Sequence, residues 1–396
     1  MRVFKNVKNI LVIKLRNIGD VLLTVPAIRA LRETFPEARV AVLVNPGTEA
    51  MLRGNPLVDE IIILNREENP KGLAGKVLGG LGFIRTLRTK DFDMTVDLTG
   101  GDRAAIAGFL TGARYRLGPK PAGKGFKGKR YLYTHTAAAP PQKTHTVLRN
   151  LATLRPHGID TKNLTVDFFT GKEDEEAVAK IIQKNGLIGS EGGAHSFVHV
   201  HPVSRWLFKC PASPVMAAFL DHIISSGLQI VLTSGPEPRE VAMLKEIKAL
   251  MKKPAIDLSG KLNLKALAAL SRQAAFFFGV DSAPMHIAAA VGTPVVALFG
   301  PSGAFDWGPW DNEAVKGLSL KAKDNPLTPY PAHNGLQSLG RNTVIQNTRE
   351  CVPCGKDGCR GSKKSDCLDE IDKTLVKNIL SQYIMKYSAA THSSGA

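Results

Sequence analysis

Long apolar runs are missing from these 396 residues. The longest, such as 10–13 and 294–299, fall far short of the roughly eighteen residues that a membrane span needs. The N-terminus also lacks an apolar stretch followed by a small-residue cleavage site, so the sequence predicts a cytoplasmic protein. Its 37 Gly and 24 Pro follow no repeat, which excludes collagen-like sequence. Cysteine is scarce: Cys210 stands alone and four others crowd between Cys351 and Cys367, a distribution that does not suit a secreted disulfide scaffold. Disorder is excluded by 43% hydrophobic against 22% charged residues, and the length suits two domains, each with its own core.

Acid is the most telling shortage. The segment 103–159 contains no Asp or Glu but 11 Lys and Arg, within a chain of formal net charge +17. Such a balance calls for an anionic partner. Inside the segment, PKPAGKGFKGKR (119–130) is a basic loop punctuated by Gly and Pro, suited to phosphates or acidic head groups. Few aromatics interleave for base stacking and no helix-turn-helix pattern is present, so nucleic acid is not expected.

Strands alternate with helices along the chain. Apolar runs predict strands at 9–14, 40–44, 60–64, 94–98 and 166–169, with one amphipathic helix over 19–34. After residue 170 the pattern restarts, with strands near 197–200, 229–233, 275–280 and 293–299. Helices are predicted over 173–185, 215–226, 238–251, 264–273 and 284–291. Residues 317–349 read as an irregular connection, and a last helix covers 368–385. Alternating βαβ units imply parallel sheets wrapped by helices. The expected fold is therefore α/β, with two Rossmann-like domains facing across a cleft. The expected divisions are 1–170, 171–345, and a Cys-rich segment with a C-terminal helix over 346–396.

Ligands in such sheets sit beyond the carboxyl ends of the strands, which directs attention to four loops. In KLRNIGDVLL the dinucleotide fingerprint G-x-G-x-x-G is absent, and Asp20 opens a helix either as its cap or as a general base. Lys14 and Arg16 place positive charge beside it. In GVDSAPMHIAAAVG, Asp281 and Ser282 fill a turn before a helix opened by Ala283 and Pro284. Its free N–H groups and macrodipole suit a diphosphate, with His286 in the same turn as a further donor. HPVSRWLFKCP carries Arg205 and Lys209, two cations for a departing diphosphate. TSGPEPRE offers Glu237 or Glu240 to hold ribose hydroxyls. The D-x-D at Asp91-Phe92-Asp93 precedes a strand and reads as an ordinary strand approach. Finally, Cys351, Cys354, Cys359 and Cys367 are spaced C-x2-C-x4-C-x7-C, a pattern open either to a structural zinc or to plain thiols.

Four segments carry a family resemblance: IGDVLLTVPAIRALRETFPEA, VDLTGGDRAA, HPVSRWLFKCP and GVDSAPMHIAAAVGTPVVALFGPSG. Together they resemble glycosyltransferase family 9, the heptosyltransferases of the bacterial lipopolysaccharide core, from residue 10 to about residue 310. The pairing of HPVSRWLFKC with FDWGPW is most similar to the heptosyltransferase III subfamily, which adds a side-branch heptose. The resemblance implies a GT-B fold and inverting transfer of heptose from ADP-L-glycero-D-manno-heptose to a heptose of the inner core. By the same resemblance Asp20 is the general base, and Lys209 with Arg205 holds the leaving diphosphate. Asp281, Ser282, Ala283 and His286 hold phosphates and heptose, and Leu262 packs on the adenine. Lys14, Arg16, Lys120, Lys124, Lys127 and Arg130 meet the acceptor at the inner face of the inner membrane, and no metal is required for catalysis. Two alternatives stay open: a family 9 enzyme with another acceptor or nucleotide sugar, and a non-catalytic basic protein that binds nucleic acid or acidic polymer.

Overall fold

The computed structural model describes residues 4–64, 82–121, 123, 125–187, 196–317 and 328–388. These form two compact units, one ending at Phe169 and the other beginning at Thr170. The first is built on β1 (Asn9–Lys14), β2 (Arg39–Val44), β3 (Glu60–Ile63), β4 (Met94–Asp97), β5 (Tyr115–Pro119) and β6 (His135–Ala137). All pair in parallel, in the order β3-β2-β1-β4-β5-β6. Burial on both faces explains why the middle of β1, residues 10–13 of NILVIK, reads as an unbroken apolar run. Leu11 and Ile13 join a core with Ala41, Leu43 and Phe92.

The helix after β1 differs from its predicted form. Instead of one element there are two, Ile18–Leu22 and Val25–Thr34. Pro26 has no N–H to offer the Leu22 carbonyl, so the ladder stops and restarts from Thr24, whose carbonyl accepts from Ala27 N and Ile28 N. Residues 166–169 are not a strand either. Two carbonyls of the preceding stretch accept from Arg29 Nη1, Asn163 O at 2.9 Å and Thr165 O at 2.8 Å, and Asp167 pairs with Arg29. A buried guanidinium thus does what a neighbouring strand would do.

In the second unit the strands are β7 (Phe197–His201), β8 (Gln229–Leu232), β9 (Ile256–Asp257), β10 (Phe277–Val280), β11 (Val295–Phe299), β12 (Leu336–Leu339) and β13 (Asn342–Gln346). Their order is β12-β13-β11-β10-β7-β8-β9, parallel except for the β12–β13 hairpin. That hairpin lies where an irregular connection was expected, and β13 extends the sheet by pairing with β11. The C-terminal helix Lys373–Tyr387 packs within this unit, sending Val376, Ile379 and Leu380 into a core shared with Phe219, Phe278 and Leu298. Asp372 caps it by accepting from Thr374 N and Leu375 N, both at 2.9 Å.

The two sheets share one topology. Each has a first strand, β1 or β7, flanked on one side by the next strands in sequence and on the other by a strand reached through a long crossover. The order therefore reverses between β1 and β4 and between β7 and β10. In open α/β sheets that reversal opens a crevice at the carboxyl ends of the strands, where ligands bind.

Candidate active site at two switch points

At the first switch point, Asp20 lies in the opening turn of Ile18–Leu22, but Asn17 occupies the cap position and no side chain caps this helix. The capping role open to Asp20 in the sequence is therefore not the one it has. Its Oδ1 stands 3.9 Å from Lys14 Nζ. Lys14 is not at the surface, as a ligand for an acceptor would be: it is 4% exposed and donates to Leu98 O at 2.9 Å and Asn150 Oδ1 at 3.0 Å. Burial pushes its pKa down to about 8, against the pull of Asp20 toward the charged form. An ammonium held this way steadies the carboxylate and does not reach out of the fold.

Beside it, the loop after β4 is wired into place. Asp97, buried at the strand end, accepts from Tyr133 Oη at 2.6 Å, Thr99 N at 2.7 Å and Gly100 N at 2.9 Å. Burial raises its pKa while these three donors act in the opposite sense. Thr99 Oγ1 in turn accepts from Leu15 N at 2.8 Å, tying this loop to the one that carries Asp20. Neither Asp97 nor Tyr133 was singled out in the sequence, although VDLTGGDRAA marked the loop. Arg16 is exposed and reaches Thr99 O at 3.3 Å. Lys120, Lys127 and Arg130 are exposed, and Lys124 lies outside the described residues. The D-x-D stays at the opposite end of the sheet, where Asp93 Oδ2 accepts from Lys8 N and Asn9 N.

At the second switch point, Lys209 closes a short turn, Leu207–Lys209, after β7, and Asp281 directly follows β10. Lys209 Nζ donates to Asp281 Oδ2 at 2.6 Å. Burial would raise the pKa of Asp281, but the Lys209 ammonium, helped by the Ser302 hydroxyl and His286, holds it below the usual carboxylate range. The expectation that Asp281 grips a phosphate is thereby corrected: its carboxylate is committed to Lys209, its amide donates to Leu298 O, and a carboxylate repels phosphate. Its role is to position the ammonium.

Ser282 occupies the cap position of the helix Ala283–Ala290 without a side-chain bond, and Pro284 lies in the first turn, leaving first-turn N–H groups without intrahelical acceptors. Two buried polar atoms here, Ser282 Oγ and His286 Nδ1, have no partner. Burial lowers the His286 pKa to about 4, against the influence of Asp281, so the ring is neutral near pH 7 and keeps one N–H. Lys209 also lines a cleft of about 480 Å³ with Ser302, Asp306, Trp307 and Lys356. The arrangement presents one ammonium, helix N–H groups, a hydroxyl and an imidazole, a set suited to phosphate oxygens.

The flanking loops separate the two candidate glutamates. Glu237 is exposed at the head of the helix Pro238–Leu250, whereas Glu240 is buried and its Oε2 accepts from Gly235 N at 3.2 Å. Burial raises the Glu240 pKa, partly countered by Gly235. A Cβ at Gly235 would lie 2.9 Å from that carboxylate, so glycine is needed for the approach. Arg205 is exposed, its guanidinium 5.8 Å from the Trp206 ring centre, and Leu262 is half-buried against an apolar cluster that includes Leu258 and Ala266. On β7, alternation puts His199 and His201 on one face, where Thr233 Oγ1 bonds both rings, at 2.8 and 2.9 Å.

Cys359, Cys354 and Cys351 lie close enough to Cys367 for their charges to act on its thiol. Among the described residues no three His, Cys, Asp or Glu side chains are gathered to hold an ion. Cys351 and Cys354 are exposed, while Cys367 belongs to the apolar core, where burial pushes its pKa up to about 11 and keeps the thiol protonated.

Several solved structures share this fold. A family 9 glycosyltransferase from Veillonella parvula aligns over 96% of this chain and 97% of its own, with a TM-score of 0.73 and 20% identity. The E. coli ADP-heptose lipopolysaccharide heptosyltransferase II aligns over 96% and 99%, with a TM-score of 0.68 and 19% identity. Two Rossmann-like units of this topology give the protein the GT-B fold. The pattern of glycosyltransferase family 9 (heptosyltransferase) matches residues 81–328, and the chain belongs to that family. It is 33% identical over 302 residues to the E. coli lipopolysaccharide heptosyltransferase 3, covering 75% of this chain and 85% of that one.

Proposed function

We propose that this enzyme moves a heptose from ADP-L-glycero-D-manno-heptose to a heptose of the lipopolysaccharide inner core, with inversion, at the cytoplasmic face of the inner membrane. The observation that carries the donor half is the pairing of the partly exposed Lys209 with the buried Asp281 beside the opening turn of Ala283–Ala290. The diphosphate lies against that turn. Lys209 and the N–H groups of Ser282 and Ala283 take up charge as the phosphate leaves, while Ser282 Oγ and His286 complete its hydrogen bonds. Arg205 adds a second cation, Glu240 receives the ribose hydroxyls and Leu262 supports the adenine.

Asp20 is the base. Inversion requires a single displacement with the base opposite the leaving group, so Asp20 takes the proton of the acceptor hydroxyl as the bond to the anomeric carbon forms. Lys14 fixes its orientation. Cations and a helix terminus supply the charge stabilisation on the donor side, and no step is routed through a metal. Arg16, Lys120, Lys127 and Arg130 meet acceptor phosphates.

The test is ADP release from ADP-heptose with deep-rough lipopolysaccharide. The wild type should release ADP only when acceptor is present. Asp20→Ala should lose turnover by at least about a hundredfold while ADP affinity stays within twofold. Near wild-type turnover in that variant removes Asp20 from the mechanism, and acceptor-independent binding without release favours a non-catalytic protein.

A further inference from the structure

Ten large hydrophobic residues are exposed among the described residues, and four of them, Ile106, Phe109, Phe126 and Tyr131, fall in one short stretch of the first unit. Chance scattering needs no explanation, but a cluster does. The stretch is also part of the acid-free segment 103–159.

The elements that carry these side chains adjoin. Ile106 and Phe109 are three residues apart on the helix Asp102–Leu110, so they share a face. That helix packs beside the turn Lys129–Leu132, which carries Tyr131. A Cβ at Gly125 would strike the Asp102 carboxylate, which puts the residue before Phe126 against the start of the same helix. Two cations lie over these rings, Arg116 at 5.3 Å from the Phe109 centre and Arg130 at 5.0 Å from that of Tyr131. The carboxylate at the start of that helix, Asp102, is paired with the buried Lys129 Nζ at 3.2 Å, so the two charges offset each other.

We propose that this face, with Phe109, Phe126 and Tyr131 as its apolar points and Arg116, Lys127 and Arg130 around them, docks the enzyme on an anionic bilayer. Aromatic rings that combine an apolar body with a polar or cation-bearing edge suit the head-group region, and each nearby Lys or Arg adds attraction to anionic lipid. A nucleic-acid site would need the same charge but would gain nothing from Ile106, and a protein partner would have to bring an extended acidic surface. No described helix is long and apolar enough to cross a membrane, so contact through this face is an attachment and not a span. The inference rests on the proposed reaction only in that the acceptor is a glycolipid; docking brings the enzyme to it.

Sedimentation with vesicles tests it, using the full chain at physiological salt. Vesicles of phosphatidylethanolamine and phosphatidylglycerol should bind the wild type, and vesicles of phosphatidylcholine alone should bind at least about tenfold less. Phe109→Ser with Tyr131→Ser should lower binding to the anionic vesicles on the order of tenfold. The same variant should keep its ADP release with a delipidated core oligosaccharide, which separates docking from acceptor recognition and shows that it folds. Unchanged vesicle binding in the variant, or equal binding to neutral vesicles, overturns the proposal. Loss of oligosaccharide turnover with vesicle binding intact also overturns it and assigns the face to the acceptor sugar. A wild type that binds anionic vesicles yet releases no ADP contradicts the proposed reaction and leaves the docking surface standing.

Discussion

Lys209 and Asp281 show how far single residues could be read. Both stood out because strand ends in parallel sheets collect ligands, and both lie at the second switch point. What the sequence could not tell is that the carboxylate serves the ammonium and not the substrate, because pairing across 72 positions leaves no local pattern. The same blindness hid Lys14, whose charge suggested a surface and whose strand placed it inside. The arrangement makes a paired prediction. Lys209→Ala strands a buried carboxylate and should cost about 3–5 kcal/mol of stability in urea unfolding. Adding Asp281→Asn should restore much of that stability but leave turnover about a hundredfold low or worse. Recovery of activity with stability would make Lys209 structural. The cysteines divide by environment in the same way: iodoacetamide should label Cys351 and Cys354 well before Cys210 and Cys367, both buried with raised pKa values, as mass mapping would show. Equal rates would contradict that placement.

Helices and strands were legible where an amphipathic or apolar period ran uninterrupted, as in β1, β10 and Leu264–Gln273. Elements whose partners are remote were not. The strand β6 is three residues long, and the alternating β12 and fully buried β13 lie in a segment whose Asn, Pro and Gly suggested a loop. Tyr133 illustrates the consequence at this scale, since it crosses β5 to reach Asp97 only because residue 118 is glycine. A Cβ there would fall 2.2 Å from its ring. Gly118→Ala should therefore displace Tyr133, break its bond to Asp97 and destabilise the first unit by about 1–3 kcal/mol. Tyr133→Phe should cost about 1 kcal/mol, because Asp97 keeps two amide donors. Urea denaturation distinguishes the two, and a larger loss for Tyr133→Phe than for Gly118→Ala would mean that the hydroxyl bond, not the placement of the ring, was misjudged.

For the whole molecule, three buried imidazoles set the response to acid. Burial lowers His199 and His201 to about 3 and His286 to about 4, all below the ordinary value of 6.5. The unfolded chain therefore takes up more protons as pH drops below about 6.5, and stability falls with it, by at most about 1.4 kcal/mol per imidazole for each pH unit. The melting temperature should decline steadily from pH 7 to pH 5; a flat or rising profile would contradict the buried, neutral placement of these rings. The fold was readable in the sequence because the βαβ rhythm repeats twice, and charged residues stand at both switch points. The direct test of the donor assignment is a crystal structure with ADP bound. The β-phosphate should lie against the N–H groups of Ser282 and Ala283, within hydrogen-bond distance of Lys209 Nζ. ADP bound elsewhere, with that turn turned away from it, would contradict the account.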